Sequence, residues 1–468
     1  MRMFIIILFL AIGIGFFISC GSDPKTTENT QQSVMSASLD ADGASDKFPD
    51  FGWMLDTSQY RGPVFKLSQD YPKALPKTPL PAFFQTDFKK DWRKYLEQVQ
   101  DYCFEGNTGT DFRVENNKTR AWYHMPWQHY GPPGREGFHG LTQEAPVQPR
   151  QLAATQTSDS LGAVAVGFYN DVAAYTIGQV WKDHYAPDHS KNIAFPNGSV
   201  LFKILFVNIP EASAVAEVPW LENGLWWDAY VVTNFKKNMG QQDQNKYRRR
   251  TKVALVQMDI MVRDDRAPSG WIFGNFQYNG KLNKGDKWKN LIPVGLMWGE
   301  DPEDSTNASN PQPTHTVINT KLKETIINPD SNELPATHLG WNSRLNGPVD
   351  NPMSSCYSCH STAEYPQYTL MSPLFNSDTL AANPIGSPGW MRWFRNLPCG
   401  TPFNEDAHSM DFSLQLAGSL QNFYDWKSTQ SGLFSNSYST DRKLLNAEQT
   451  EGRTAGKKTK LVHPIRFK

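Results

Sequence analysis

Net charge is what this sequence lacks first. Lys and Arg number 46 against 47 Asp and Glu, so no global field draws the chain to nucleic acid or to anionic lipid. Long apolar runs are missing after residue 20, and without one there is no candidate for a later membrane-spanning helix. Cysteine is scarce, five in 468 residues, too few for a disulfide-knit scaffold of this size. Sustained helical periodicity is weak, with its best candidates at 87–102 and 412–426.

What is present begins with an export signal. Arg2 gives a short positive start, and Met3–Ile18 is almost wholly apolar but shorter than a membrane span. The segment ends Phe17-Ile18-Ser19-Cys20-Gly21, which resembles a bacterial lipobox. That likeness implies that Cys20 is freed by cleavage and lipidated, giving a periplasmic or outer-membrane-anchored lipoprotein. An ordinary signal peptide is the alternative, and either reading exports the chain. Residues 21–48 are polar and are expected to be a flexible tether. Beyond them we expect an N-terminal extension at 49–160, a β-rich domain at 161–375 and a C-terminal extension rich in loop and helix at 376–468.

The middle of the chain reads as strands. Val200–Val207 is a dense β-branched and aromatic run behind the turn Pro196-Asn197-Gly198. Leu225–Val232, Trp271–Tyr278 and Leu291–Trp298 are similar. From Ala254 to Val262 the even positions are apolar while Gln257 and Asp259 fall on odd ones, which predicts a half-buried strand. Successive strands joined by turns predict a mainly β (α+β) fold on an antiparallel sheet. Asp301–His315, Lys246–Arg250 and the basic tail at 453–468 are expected to be solvated loops or tail.

Cys356-Tyr357-Ser358-Cys359-His360 carries the chemistry. Two thiols three positions apart reach two vinyl groups on one porphyrin edge, and the adjacent histidine then lies under the iron. The expectation is one covalent haem c. A thioredoxin-like site would need a βαβ setting, and a zinc site would need two further ligands. Met371, Met391, Met410 and His408 lie downstream as candidates for the other face of the iron, and an open face is the alternative. Of the remaining cysteines, Cys103 and Cys399 are expected to pair in an oxidising compartment, with two separate buried thiols as the alternative. His124, His129 and His139 crowd a Pro/Gly-rich stretch and are candidates for the pocket wall, against plain turn chemistry. His338 is a further pocket-edge candidate, and Arg344 a candidate partner for a haem propionate.

Several segments together resemble the cytochrome P-460 family, which includes the cytochromes c′-beta. They are Val166–Tyr175, Phe195–Lys203, Met258–Arg263 with Gly270–Gly274, and Cys356–His360 with Tyr368-Thr369-Leu370 after it. The resemblance spans roughly 160–372 and implies an antiparallel β core with large insertions at 209–250 and 281–345. It further implies an open distal face for small nitrogen compounds such as nitric oxide or hydroxylamine. It places Lys203 where some members carry a lysine cross-linked to the porphyrin. A lysine inside an apolar strand is unusual without any family, because burying its charge is costly. It either points at the haem or faces water on the outer side of the sheet.

The expected function is therefore a membrane-anchored, mono-haem c-type cytochrome in redox chemistry or electron transfer, a possible oxidoreductase. A redox partner protein is expected, and nucleic acid is not. A six-coordinate electron carrier and a haem-bearing accessory subunit of a membrane complex are the alternatives.

Overall fold

The computed structural model describes residues 33–35, 48–50, 52–128, 134–158, 161–233, 244–305, 317–335, 339–369, 371 and 383–430. Among the described residues, eleven strands form one sheet. They are β1 (Ser33–Met35), β2 (Gly52–Met54), β3 (Arg135–Glu136), β4 (Thr142–Gln143), β5 (Ala163–Tyr169), β6 (Val200–Val207), β7 (Trp226–Val232), β8 (Arg248–Arg263), β9 (Trp271–Tyr278), β10 (Leu291–Met297) and β11 (Thr325–Ile327). β12 (Glu364–Tyr365) and β13 (His408–Ser409) make a separate ladder. The helices are α1 (Trp92–Phe104), α2 (Asp171–Val180), α3 (Glu211–Glu217), α4 (Cys356–His360), α5 (Pro388–Met391) and α6 (Leu414–Gln430).

The mainly β expectation holds. Every pairing in the sheet is antiparallel except β2 with β3. The five expected central strands are all present. β8 is the longest at 16 residues. Ala254 pairs with Val207 of β6 and with Trp226 of β7, so those two strands lie on opposite edges of β8.

The register sorts the side chains, because successive residues of a strand point to opposite faces. One face carries the rows Phe168–Phe202–Ile260–Gly274 and Val166–Ile204–Met258–Phe276. Helix α1 closes it with Tyr95, Leu96, Val99 and Cys103, spaced to form a single apolar stripe. A methyl on Gly274 would stand 2.5 Å from Leu96, so helix and sheet meet closely there. The second face carries Tyr169–Leu201–Met261–Phe273, then Gly167–Lys203–Asp259–Asn275, then Ala165–Leu205–Gln257–Gln277. Its apolar end packs with α2, α6 and the segment containing α4.

Several expectations need correction. β8 is covered on both faces, and Gln257 on its polar side is fully buried, because the loop at 346–350 lies across it and Val349 N–H donates to its Oε1 at 3.1 Å. Arg248–Arg250 start β8 instead of forming a loop; Arg248 is buried and donates to the Tyr230 carbonyl at 2.9 Å. The extension at 49–160 supplies β2, β3, β4 and α1 to the same sheet and core. Ser33–Met35, within the expected tether, pairs with Gly52–Met54. Tyr368 and Thr369 form no strand; the motif is followed by β12. No disulfide joins Cys103 to Cys399. Cys103 is buried under α1 on the first face, whereas Cys399 packs with the second core and takes a hydrogen bond from Arg263 at 3.1 Å. Cys20, Leu370 and the basic tail lie outside the described residues.

Candidate functional site

The Cys-x-x-Cys-His segment forms α4, a helix only five residues long. Such a short helix needs its ends satisfied. Ser355 supplies the start: its Oγ accepts from Ser358 N–H at 2.9 Å, and its own N–H donates to Ser358 Oγ at 2.8 Å. Ser355 Oγ also donates to the buried carboxyl of Glu300. Tyr357 fixes the inner side, donating to the Leu397 carbonyl at 2.5 Å and accepting from Leu397 N–H at 3.0 Å.

Positions i, i+3 and i+4 share one face of a helix. Cys356, Cys359 and His360 accordingly fall together, each half-buried, while Tyr357 and Ser358 are turned fully inward. His360 Nδ1 lies 2.8 Å from the Phe412 carbonyl oxygen. A carbonyl can only accept, so Nδ1 carries the proton and Nε2 keeps its lone pair. Burial lowers the imidazole to about 4, despite the Phe412 carbonyl, with Lys203 pressing the same way. The ring is neutral at physiological pH, which a metal ligand requires. Burial raises the Cys356 thiol well above its usual range, and the negative charges of Asp350 and Asp259 add to it.

These mutual influences place the motif beside the polar row of the second face. Phe273, two residues before Asn275 on the same face, has its ring 5.4 Å from His360 and 5.7 Å from Tyr357. Lys203 is on this face. Its Nζ is 3.6 Å from Glu144 and 3.9 Å from Asp259, and its side chain is 28% exposed. Burial would lower its pKa, but Glu144, Asp259 and Asp350 outweigh that and hold it raised, so the ammonium stays charged. Asp259 is raised by burial and by Asp350, and accepts from Gln257 at 2.8 Å and Asn275 at 2.5 Å. Gln257 also donates to Asp350 at 2.9 Å.

A covalent haem c fits these residues. Two thiols and a histidine share one accessible helix face, and the histidine is fixed in the tautomer that frees Nε2. Nearby, Asn275 Oδ1 and both amide atoms of Gln277 are buried with no hydrogen-bond partner among the described residues. Such unsatisfied atoms are costly and point to a further polar group on this face.

The other candidates are placed elsewhere. Arg344 is fully buried, with its guanidinium committed to Glu300, 3.0 Å away, and to the carbonyls of Glu300, Asp301 and Asp304. It props the loop that precedes the motif instead of standing free for a propionate. His124 accepts from Ser68 N–H at 2.9 Å and packs on Phe65 and Phe168, on the face opposite the motif. His139 is 2.9 Å from Asp111 and stacked on Trp227 at 4.1 Å. His129 and His338 lie outside the described residues. Met410 is fully buried in the core that holds Tyr357, whereas Met371 is exposed. Sequence reasoning missed Glu300, Glu144, Asp350 and the Phe412 carbonyl. Only the Ser355-x-x-Ser358 pair and the odd-numbered Gln257 and Asp259 gave a local signal.

Comparison with family models, with curated proteins and with solved structures finds no match to this chain. The likeness to the cytochrome P-460 family rests on the residues quoted for it.

Proposed function

We propose that this chain is an exported protein with one haem c bonded to Cys356 and Cys359 and ligated by His360. It is tethered to a membrane through lipid on Cys20 and serves in redox chemistry. One observation carries the reading: Cys356, Cys359 and His360 share a half-buried helix face, with His360 Nδ1–H held by the Phe412 carbonyl at 2.8 Å. A haem held there would supply one-electron chemistry.

The chain's own residues do the rest. Phe412 fixes the imidazole plane. Tyr357 and Ser355 hold the helix against the core. Lys203, kept charged by Glu144 and Asp259, presents a cation on the same sheet face. This supports a P-460-like role in which Lys203 faces the haem and small nitrogen compounds meet the iron. Electrons would pass to a redox partner protein.

The test is to produce the chain in a host that matures c-type cytochromes. We expect a mass increase equal to one haem that survives denaturation, abolished in Cys356→Ala/Cys359→Ala. A matured chain without bound haem overturns the reading. The reduced protein should change its absorption spectrum with carbon monoxide or nitric oxide. A six-coordinate electron carrier is the second reading. An unchanged spectrum with both gases selects it.

A further inference from the structure

The haem reading leaves one buried charged group beside the motif without a role. Glu300 follows the end of β10 closely, and its side chain is 0% exposed. One oxygen, Oε1, takes the hydrogen bond from Ser355 Oγ. Ser355 is the residue that caps α4, and Cys356 follows it directly. The other oxygen, Oε2, is 3.0 Å from Arg344 Nε but receives no hydrogen bond among the described residues. The Nε proton goes to the Glu300 main-chain carbonyl at 2.8 Å, and Nη2 goes to the carbonyls of Asp301 and Asp304, each at 3.0 Å. Arg344 thus attracts the carboxylate, although its Nε proton is shared with the Glu300 main-chain carbonyl. A buried carboxylate with a bare oxygen favours its protonated form.

We propose that Glu300, joined to α4 through Ser355 and faced by Arg344, is a redox-linked proton site: it takes up a proton when the haem iron is reduced and releases it on oxidation. The inference rests on the haem reading. The balance is one electron to the ferric iron from an external one-electron donor, and one proton from solvent to the Glu300 carboxylate. Reduction removes one positive charge from a group bonded to Cys356, so the carboxylate loses part of its electrostatic support and binds a proton more tightly. Burial already raises Glu300 to about 8, against the pull of Arg344 and the Ser355 hydroxyl. The other charged neighbour is Asp301, itself raised by burial first and then by Glu324, and Asp304 faces Arg344. Asp301 and Asp304 supply no donor, and the Ser358 N–H beside the carboxylate offsets its burial only in part.

The experiment is the midpoint potential of the full-length haem-loaded protein, measured spectroelectrochemically from pH 6 to 9. Tenfold in proton concentration per pH unit converts to about 59 mV for a one-electron couple. The wild-type potential is expected to fall as pH rises, most steeply at about pH 8 and by no more than that slope, and Glu300→Gln to lose most of the dependence. Equal slopes in both proteins, or no slope in the wild type, overturn the proposal. If the variant does not fold, the reduced-minus-oxidised infrared spectrum of the wild type decides. A protonated-carboxyl C=O band that appears on reduction and shifts in D2O supports the proposal, and its absence overturns it. A chain that never acquires haem fails the haem reading itself, which the mass measurement reports separately.

Discussion

The two faces of the central sheet are built from the same four strands and could hardly differ more. On the first, Phe168, Phe202, Ile204, Met258, Ile260 and Phe276 meet α1 in a continuous apolar layer. On the second, Lys203, Asp259, Asn275, Gln257 and Gln277 interrupt the layer just where α4 sits against Phe273. An apolar face is stabilised by burial alone. Polar groups on a covered face cost stability unless each is paired, and here several are not. The difference teaches that the first face was shaped for folding and the second for what is done upon it.

The contrast can be broken in four ways, the largest first. Phe202→Ala opens a hole between Phe168, 4.6 Å away, and Trp122, 4.8 Å away. We expect a loss of about 3–5 kcal/mol in denaturant unfolding with an unchanged haem spectrum. A small loss of stability with an altered spectrum would reverse the roles of the faces. Ser355→Ala removes the cap of α4 and the Glu300 contact; about 1–2 kcal/mol should go, with a lower yield of bound haem. The same yield as wild type would mean that the cap does not seat the motif.

Asp259 sets a pH dependence. Its folded-state pKa lies above the unfolded value of about 3.9, so the folded state binds the proton more tightly. Its contribution to stability is greatest below that pH and is lost as pH rises through its raised folded-state value. Asp259→Asn should flatten this decline by of order 1 kcal/mol in unfolding series across that window; parallel curves would remove Asp259 from the account. Lys203→Leu is expected to move stability least, by about 1 kcal/mol or less because the pair is partly exposed. It should nevertheless change the haem absorption spectrum and weaken nitric oxide binding in a titration. An unchanged spectrum would separate Lys203 from the haem.

Much of the first face was legible in the sequence, because alternation and β-branched density report a strand directly. The same alternation misled at Gln257. Its polarity reads as solvent exposure, and nothing local announces that the loop at 346–350 comes back to cover it, whereas Asp259 stays partly exposed. Arg248 shows the same limit: a basic run reads as a surface loop until β7 pairs with it. The motif itself was legible because its signal is spacing alone. Its supports were not. Glu300 reaches Ser355 across 55 positions and the Phe412 carbonyl reaches His360 across 52, and such meetings are set by tertiary packing that no short window contains.

The hold on His360 has an evolutionary side. Its partner is a main-chain oxygen, so no single substitution at residue 412 deletes the acceptor. The imidazole's orientation is therefore buffered against drift in the side chains of the C-terminal segment, while the segment's path is not. That path is set by the buried side chains of Met410, Phe412 and Leu416, so it is their packing, and not the identity of one hydrogen-bonding side chain, that the orientation of His360 inherits.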